Sequence, residues 1–134
     1  MVVEAGNPLN IQSTNYLKGK VVGVQLGSTG ETAAESIEGV KEYKKYDSTT
    51  DVFNDMGLGR VEAAVVGETI GKYYMTKKPG VFEIAGEPFQ IQPIGIAVRK
   101  GDTELRDALQ EAVQALKDNG TFDEIYQKWF GTDN

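Results

Sequence analysis

Two hydroxyls between two glycines make the first chemically suggestive spacing in this sequence: Gly27, Ser28, Thr29 and Gly30, within KGKVVGVQLGSTGE at 18–31. The run before them, Lys20 to Gln25, is β-branched and has the composition of a buried strand. The run after them, Glu31 to Glu35, opens a helix. A small-residue turn between strand and helix points backbone N–H groups and hydroxyls at whatever lies above the strand end. The first N–H groups of a helix lack partners within it, so this chemistry suits one negative group of a small ligand. The alternative is a plain strand–helix turn whose glycines serve only geometry.

Other chemistries are poorly supplied. The chain has no cysteine and no histidine, which removes thiol chemistry, the commonest metal ligand and the commonest general base. Glu31, Glu35 and Glu38 could suggest a metal, but a glutamate-rich helix face is ordinarily a solvated one. The net charge of −6 and scattered basic residues argue against nucleic acid. Lys41, Lys44 and Lys45 read as a solvated face. No cofactor is expected. No apolar run is long enough to span a membrane, and Met1–Glu4 does not open a signal peptide. A trimmed piece or a natural fragment is the expectation.

The elements that must position the turn follow from patterning. Met1–Glu4 is β-prone, Ala5–Leu9 is a loop, and Ser13–Gly19 is a polar turn anchored by Leu17. A helix is expected over about 30–37 and a more exposed strand over 40–46. Ser48, Thr49 or Thr50 can cap a helix running to Leu58. Arg60–Val66 reads as a strand covered on both faces. Helix 68–77, strand 82–85 and strand 94–98 follow. Thr103 is expected to cap a long helix to Asn119 with Leu105, Leu109, Val113 and Leu116 in a stripe. Thr121 is expected to cap a last helix with Phe122, Ile125, Trp129 and Phe130 on one face. Alternating strands and helices imply an α/β three-layer sandwich with a mainly parallel sheet. Its ligand site would lie outside the carboxyl ends of the strands, two of which are 25–29 and 66–69.

Four stretches occur in a telling order: Lys18–Glu31, then GRVEAAVVGE at 59–68, IGIAVRKGDTEL at 94–105 and NGTFDEIYQKWFG at 119–131. Together they resemble the polar amino-acid family of bacterial extracellular solute-binding proteins, the ligand-capturing subunits of ABC importers. The resemblance runs from about Val2 to Gly131. It implies a single lobe of a periplasmic binding protein-like (type II) fold. Residues 1–16 would be a crossing strand and linker, and 17–93 the second lobe. Residues 94–134 would be a second crossing strand and two helices of the first lobe. It implies no enzyme, a periplasmic or extracellular location, a polar amino acid or related small carboxylate as ligand, and an ABC permease as partner. The other wall of the site would come from the missing first lobe or from a second copy of the chain, with tails exchanged. The chain alone would then bind weakly or not at all. A sensor module on the same lobe, or an engineered isolated lobe, is the alternative function; an enzyme built on cleft carboxylates is a third.

Site residues carry over by position. Thr29 matches the family threonine that bonds the ligand carboxylate, assisted by Ser28. Gln25 matches a position facing the ligand side chain. Gly67 stands where the family normally has an aspartate that pairs with the ligand's α-ammonium group. Glu68 is adjacent, with its side chain expected to point elsewhere. The Tyr73–Tyr74 pair and Trp129–Phe130 read as packing groups.

Overall fold

The computed structural model describes residues 1–131 of the 134. They divide into two units, 1–90 and 91 onward, each taken by itself here.

The first unit is a five-stranded sheet between helices. Its strands are β1 (Val2–Glu4), β2 (Val21–Gln25), β3 (Glu42–Tyr46), β4 (Ala63–Ala64) and β5 (Phe82–Ile84). Their order in the sheet is β3-β2-β4-β1-β5. Strand β2 pairs parallel with both β3 and β4, while β1 runs antiparallel to β4 and β5. Four strands thus point one way and β1 the other, so the expected α/β sandwich with a mainly parallel sheet is what forms. Helices α1 (Thr29–Glu35), α2 (Thr49–Gly57) and α3 (Glu68–Lys77) connect the strands.

Strand alternation sorts the core into two faces. Val22, Val24, Ala63, Val65 and Val3 pack with Ala33 and Ala34 of α1, with Ile37 just beyond that helix, and with Ile11 and Leu17. Val2, Ala64 and Phe82 pack with Val52, Phe53 and Met56 of α2, and Tyr74 and Met75 of α3 lie against them. Tyr74 stacks on Phe53 with ring centroids 4.2 Å apart, which is the packing role expected of it. Gly23 is a position where only hydrogen fits: a Cβ there would stand 2.8 Å from a Val52 methyl and 2.9 Å from a Val61 methyl. Helix α2 therefore sits closer to β2 than any side chain would allow.

Several boundaries differ from the sequence expectations. Strand β4 is only two residues long, although Glu62 N–H donates to Val21 O and Val65 N–H to Gly23 O on either side of it. Within the second unit, 94–98 forms no strand, and Ile94 and Ile96 are exposed. A β-prone run becomes a strand only when a ladder partner satisfies its backbone. That unit holds α4 (Thr103–Asp118) and α5 (Thr121–Phe130). Asp102, not Thr103, caps α4 by accepting from Leu105 N–H. Gly120, in the left-handed region, precedes α5, and Asn119 accepts from Thr121 N–H. Neither helix has a buried residue, so Trp129 is half-exposed instead of packed away.

Candidate functional site

Topology locates the site. From β2 the chain passes through α1 to β3 on one side, and from β4 through α3 to β5 on the other. Helices α1 and α3 lie on opposite faces. Connections that diverge from two adjacent parallel strands leave a crevice at their carboxyl ends, which is where open α/β sheets bind ligands. Applied to this sheet, the rule puts the expected crevice at the ends of β2 and β4, between Ser28–Gly30 and Val66–Glu68.

The walls are in close contact. Gly30, in the first turn of α1, approaches β4 so nearly that a Cβ would stand 2.6 Å from the Val65 carbonyl oxygen. The second glycine of the turn is thus a close-approach residue. The first, Gly27, takes φ +71°, a left-handed backbone that favours glycine.

Within the turn the polar groups are mostly committed. Ser28 caps α1: its hydroxyl donates to Gln25 O at 2.7 Å and accepts from Glu31 N–H at 3.2 Å. The Glu31 carboxylate reaches back to Gly27 N–H at 2.6 Å and meets Lys45 Nζ at 2.7 Å. The Lys45 hydrogen bond, then the Gly27 N–H, hold the Glu31 carboxyl below its usual range. Lys45 also bridges to Glu35 at 2.7 Å, and the two carboxylates push its ammonium further up. Lys45 is therefore a strut of the turn and not a free solvated lysine. The Thr29 side chain is exposed and its hydroxyl has no partner among the described residues.

Gln25, at the end of β2, ties this turn to the next. Its Oε1 accepts from Thr49 Oγ1 at 2.8 Å and its Nε2 donates to Asp47 O at 3.3 Å. Ser48 caps α2 by accepting from Asp51 N–H, and Thr50 and Tyr74 join α2 to α3 through their hydroxyls. Thr49 and Lys45 were invisible as site residues because their partners are 24 and at least 10 residues away. Glu31 had a local signal, the Ser-x-x-Glu spacing of a capping box at 28–31.

On the opposite wall, Gly67 precedes α3 with φ −58° and ψ 142° and makes no side-chain cap. A Cβ there would meet only Ile70 methyl and methylene carbons at 3.7 and 4.0 Å, ordinary contact distances. Glu68 turns along its own helix to Lys72 Nζ at 2.9 Å. The structure thus sets the Ser28–Gly30 turn against Val65 at the ends of β2 and β4, ties the Gln25 amide to Thr49 and Asp47, and pairs Glu68 with Lys72. No group of metal-ligating side chains occurs among the described residues, and no described helix is long and apolar enough to cross a membrane. A cavity of about 240 Å³ lined by Val3, Leu9, Ile11, Met56 and Val61 lies at the amino end of β4, at the opposite end of the strands from the Ser28–Gly30 turn.

Comparison with known proteins agrees with this architecture. The profile of the bacterial extracellular solute-binding proteins, family 3, matches residues 1–132. The L-cystine-binding protein TcyJ of Escherichia coli strain K12 is 32% identical over 133 residues, which cover 98% of this chain and 50% of that protein. The arginine-binding extracellular protein ArtP of Bacillus subtilis is 32% identical over 124 residues, covering 90% of this chain and 48% of ArtP. The chain therefore spans about half the length of the curated relatives it matches. Among solved structures, an ancestral arginine-binding protein bound to glutamine superposes with a TM-score of 0.75 at 42% identity, over 98% of this chain and 58% of that one. Domain 2 of TmArgBP, crystallised by itself, matches with a TM-score of 0.60 at 27% identity. That match covers 96% of the isolated domain and 67% of this chain, the same share as the 90 residues of the first unit. On the profile match and these identities, the chain belongs to the bacterial extracellular solute-binding proteins of family 3.

Proposed function

We propose that this chain is the second-lobe portion of an amino-acid solute-binding protein that delivers its ligand to an ABC permease outside the cytoplasmic membrane. It captures ligand without doing chemistry on it. In this reading the Thr29 hydroxyl, with Ser28 and the N–H groups of their turn, holds the ligand carboxylate. Gln25 lies toward the ligand side chain, and Gly67 and Glu68 border the opposite wall. The observation that carries the reading is the crevice between β2 and β4: its walls touch at Gly30 and Val65, and it presents an exposed, unpartnered Thr29 hydroxyl.

Half of such a site is one wall. Charge-assisted hydrogen bonds contribute about 1.5–3 kcal/mol each, so losing those of a first lobe leaves little affinity. The chain alone is expected to bind a polar amino acid with a dissociation constant of about 1 mM or weaker. A complementing first lobe, or a second copy supplying the other wall, would tighten it. The test is calorimetric and NMR titration with L-glutamine, L-arginine and L-cystine. Movement of the Thr29 and Gly67 amides at millimolar ligand, lost in Thr29→Val, is the expected result. Micromolar binding by the monomer, or shifts confined to the cavity at the amino end of β4, would overturn it.

A further inference from the structure

We infer that the cavity at the amino end of β4 is a second ligand site, one that takes a small molecule with an aliphatic body and a single cationic head, an alkylammonium. It stands apart from the Ser28–Gly30 turn and does not rest on the reading of that turn.

The cavity is built by the first unit alone, where its two cores meet at the end of the sheet. Val3 and Ile11 come from one core, Met56 and Val61 from the other. These four are buried and form the floor, while Pro8 and Leu9 are exposed at the rim. A volume of about 240 Å³ is that of roughly eight waters, room for a saturated ring with one substituent. Water against apolar walls finds few hydrogen-bond partners, so an apolar body that displaces it gains affinity.

The loop that walls the cavity is held in shape. Asn7 and Asn10 take φ 42° and 51°, and no other non-glycine residue among those described has a positive φ. Asparagine tolerates this region, but such backbone persists only where its surroundings fix it, and it gathers at ligand clamps. The fixing contacts are specific. The Asn7 side-chain amide donates to Ile11 O and accepts from Ile11 N–H, both at 2.8 Å. Gly6 N–H donates to Glu83 Oε2 at 2.8 Å and Ala5 N–H to Val81 O at 3.0 Å. A loop pinned in this way spares a ligand the entropy of ordering it.

Charge selects the ligand. Among the described residues no lysine or arginine lines the cavity, while two glutamates do. Arg60, between Gly59 and Val61 in the chain, is paired with Asp55 at 3.2 Å. Glu62 is largely committed, accepting from Val21 N–H at 2.8 Å and meeting Lys20 Nζ at 3.3 Å. Glu4, exposed at the end of β1, has no side-chain partner among the described residues. The cavity thus combines an apolar floor with one open carboxylate, which favours a cation over a neutral or anionic ligand of the same shape.

The experiment is a methyl-resolved NMR titration of the full chain, at neutral pH and low ionic strength, with cyclohexylamine and with cyclohexanol and cyclohexanecarboxylate as its neutral and anionic counterparts. The amine is expected to move the Ile11, Met56 and Val61 methyls with a dissociation constant on the order of a few millimolar. An exposed carboxylate pairs weakly, so cyclohexanol is expected to bind about threefold less tightly and cyclohexanecarboxylate about tenfold less. Glu4→Gln is expected to bring amine and alcohol within about 1.5-fold, with an otherwise unchanged spectrum reporting an intact fold. Raising the salt should narrow the difference in the parent chain. Still methyls with all three probes, or shifts confined to residues away from the cavity, would overturn the site. Equal affinity for amine and alcohol, or an amine preference that survives Glu4→Gln, would overturn the inference of a cationic head. Each of these failures leaves the reading of the Thr29 turn standing, since that reading is tested by its own amides and its own ligands.

Discussion

Tyr46, at the end of β3, is a single side chain whose burial and contacts set its own ionisation and that of its partner Asp55. Its hydroxyl donates to Asp55 Oδ2 at 2.8 Å, and Asp55 also holds Arg60 at 3.2 Å. Burial first, then the Asp55 hydrogen bond, push the Tyr46 phenol up to about 12 from 10. The Tyr46 bond, ahead of Arg60, lowers the Asp55 carboxyl. A raised phenol means that the folded state favours the protonated form. Its contribution to stability is complete below pH 10 and is lost as pH rises toward about 12. Asp55 acts in the other direction: its contribution is present above its ordinary value of 3.8 and is lost as pH falls through the lowered folded value. Tyrosinate absorbance is expected to show a late-titrating phenol that disappears in Tyr46→Phe. The same variant is expected to lose less stability than the parent on going from neutral to strongly alkaline pH in denaturant melts. An unchanged alkaline titration in Tyr46→Phe would contradict the assignment. At this scale the sequence revealed turn chemistry and little else. Ser28 and Gly30 could be read because a capping residue and a tight turn are local, whereas the Thr49–Gln25 and Lys45–Glu31 contacts depend on which strands become neighbours.

The helices and strands of the first unit were legible wherever periodicity matched a buried face. Val22 and Val24 against Ala63 and Val65 is alternation written directly in the sequence. The order β3-β2-β4-β1-β5 was not, because alternation gives the faces of a strand but not its neighbours. Nor was the reason for Gly23, which in a strand reads as a weakness. Its absent side chain is what lets Val52 of α2 and Val61 close over β2. Gly23→Ala is therefore an overpacking change and is expected to cost about 1–3 kcal/mol. Val52→Ala removes buried methyls and also destabilises, by the lost burial and the cavity left. Together the two are expected to be less destabilising than the sum of the singles, because the new methyl enters the space that Val52 vacates. Urea melts of the four proteins in the cycle give the coupling directly. Strict additivity would mean that α2 can slide off β2 at little cost. The absent strand over 94–98 has the converse lesson. Ile94 and Ile96 carry the strand pattern, but the pattern specifies a strand only where a ladder partner is present.

For the whole molecule, the two units differ in what they bury. The first has two cores on either side of its sheet, with Phe53, Val22, Val24 and Leu17 fully enclosed. Among the described residues the second has none: Leu105 is 47% exposed, Phe122 40%, Ile125 49% and Trp129 49%, on helices with strongly one-sided apolar faces. Ile91 and Ile94 are almost wholly exposed ahead of them. Leaving apolar surface in water is unfavourable by roughly 25 cal/mol per Å², and contiguous exposed patches of this kind ordinarily mark a surface that meets a partner. The chain spans about half the length of the curated relatives it matches, and none of the described residues of α4 and α5 is buried within their own unit. Self-association through α4 and α5, including reciprocal exchange of these helices between two copies, is therefore expected for the chain in isolation. Light scattering should give a mass that rises with concentration, and Trp129 emission should shift to the blue in step with it. A fragment of residues 1–90 is expected to fold and stay monomeric, as its cores are its own. Two changes on the exposed faces, Leu105→Lys and Ile125→Lys, are expected to return the full chain to a monomer without altering the melting of the first unit. A full chain that remains monomeric at high concentration with Trp129 emission already blue would show that the helices are covered within one copy. A fragment that aggregates while the full chain does not would place the sticky surface on the sheet and not on α4 and α5.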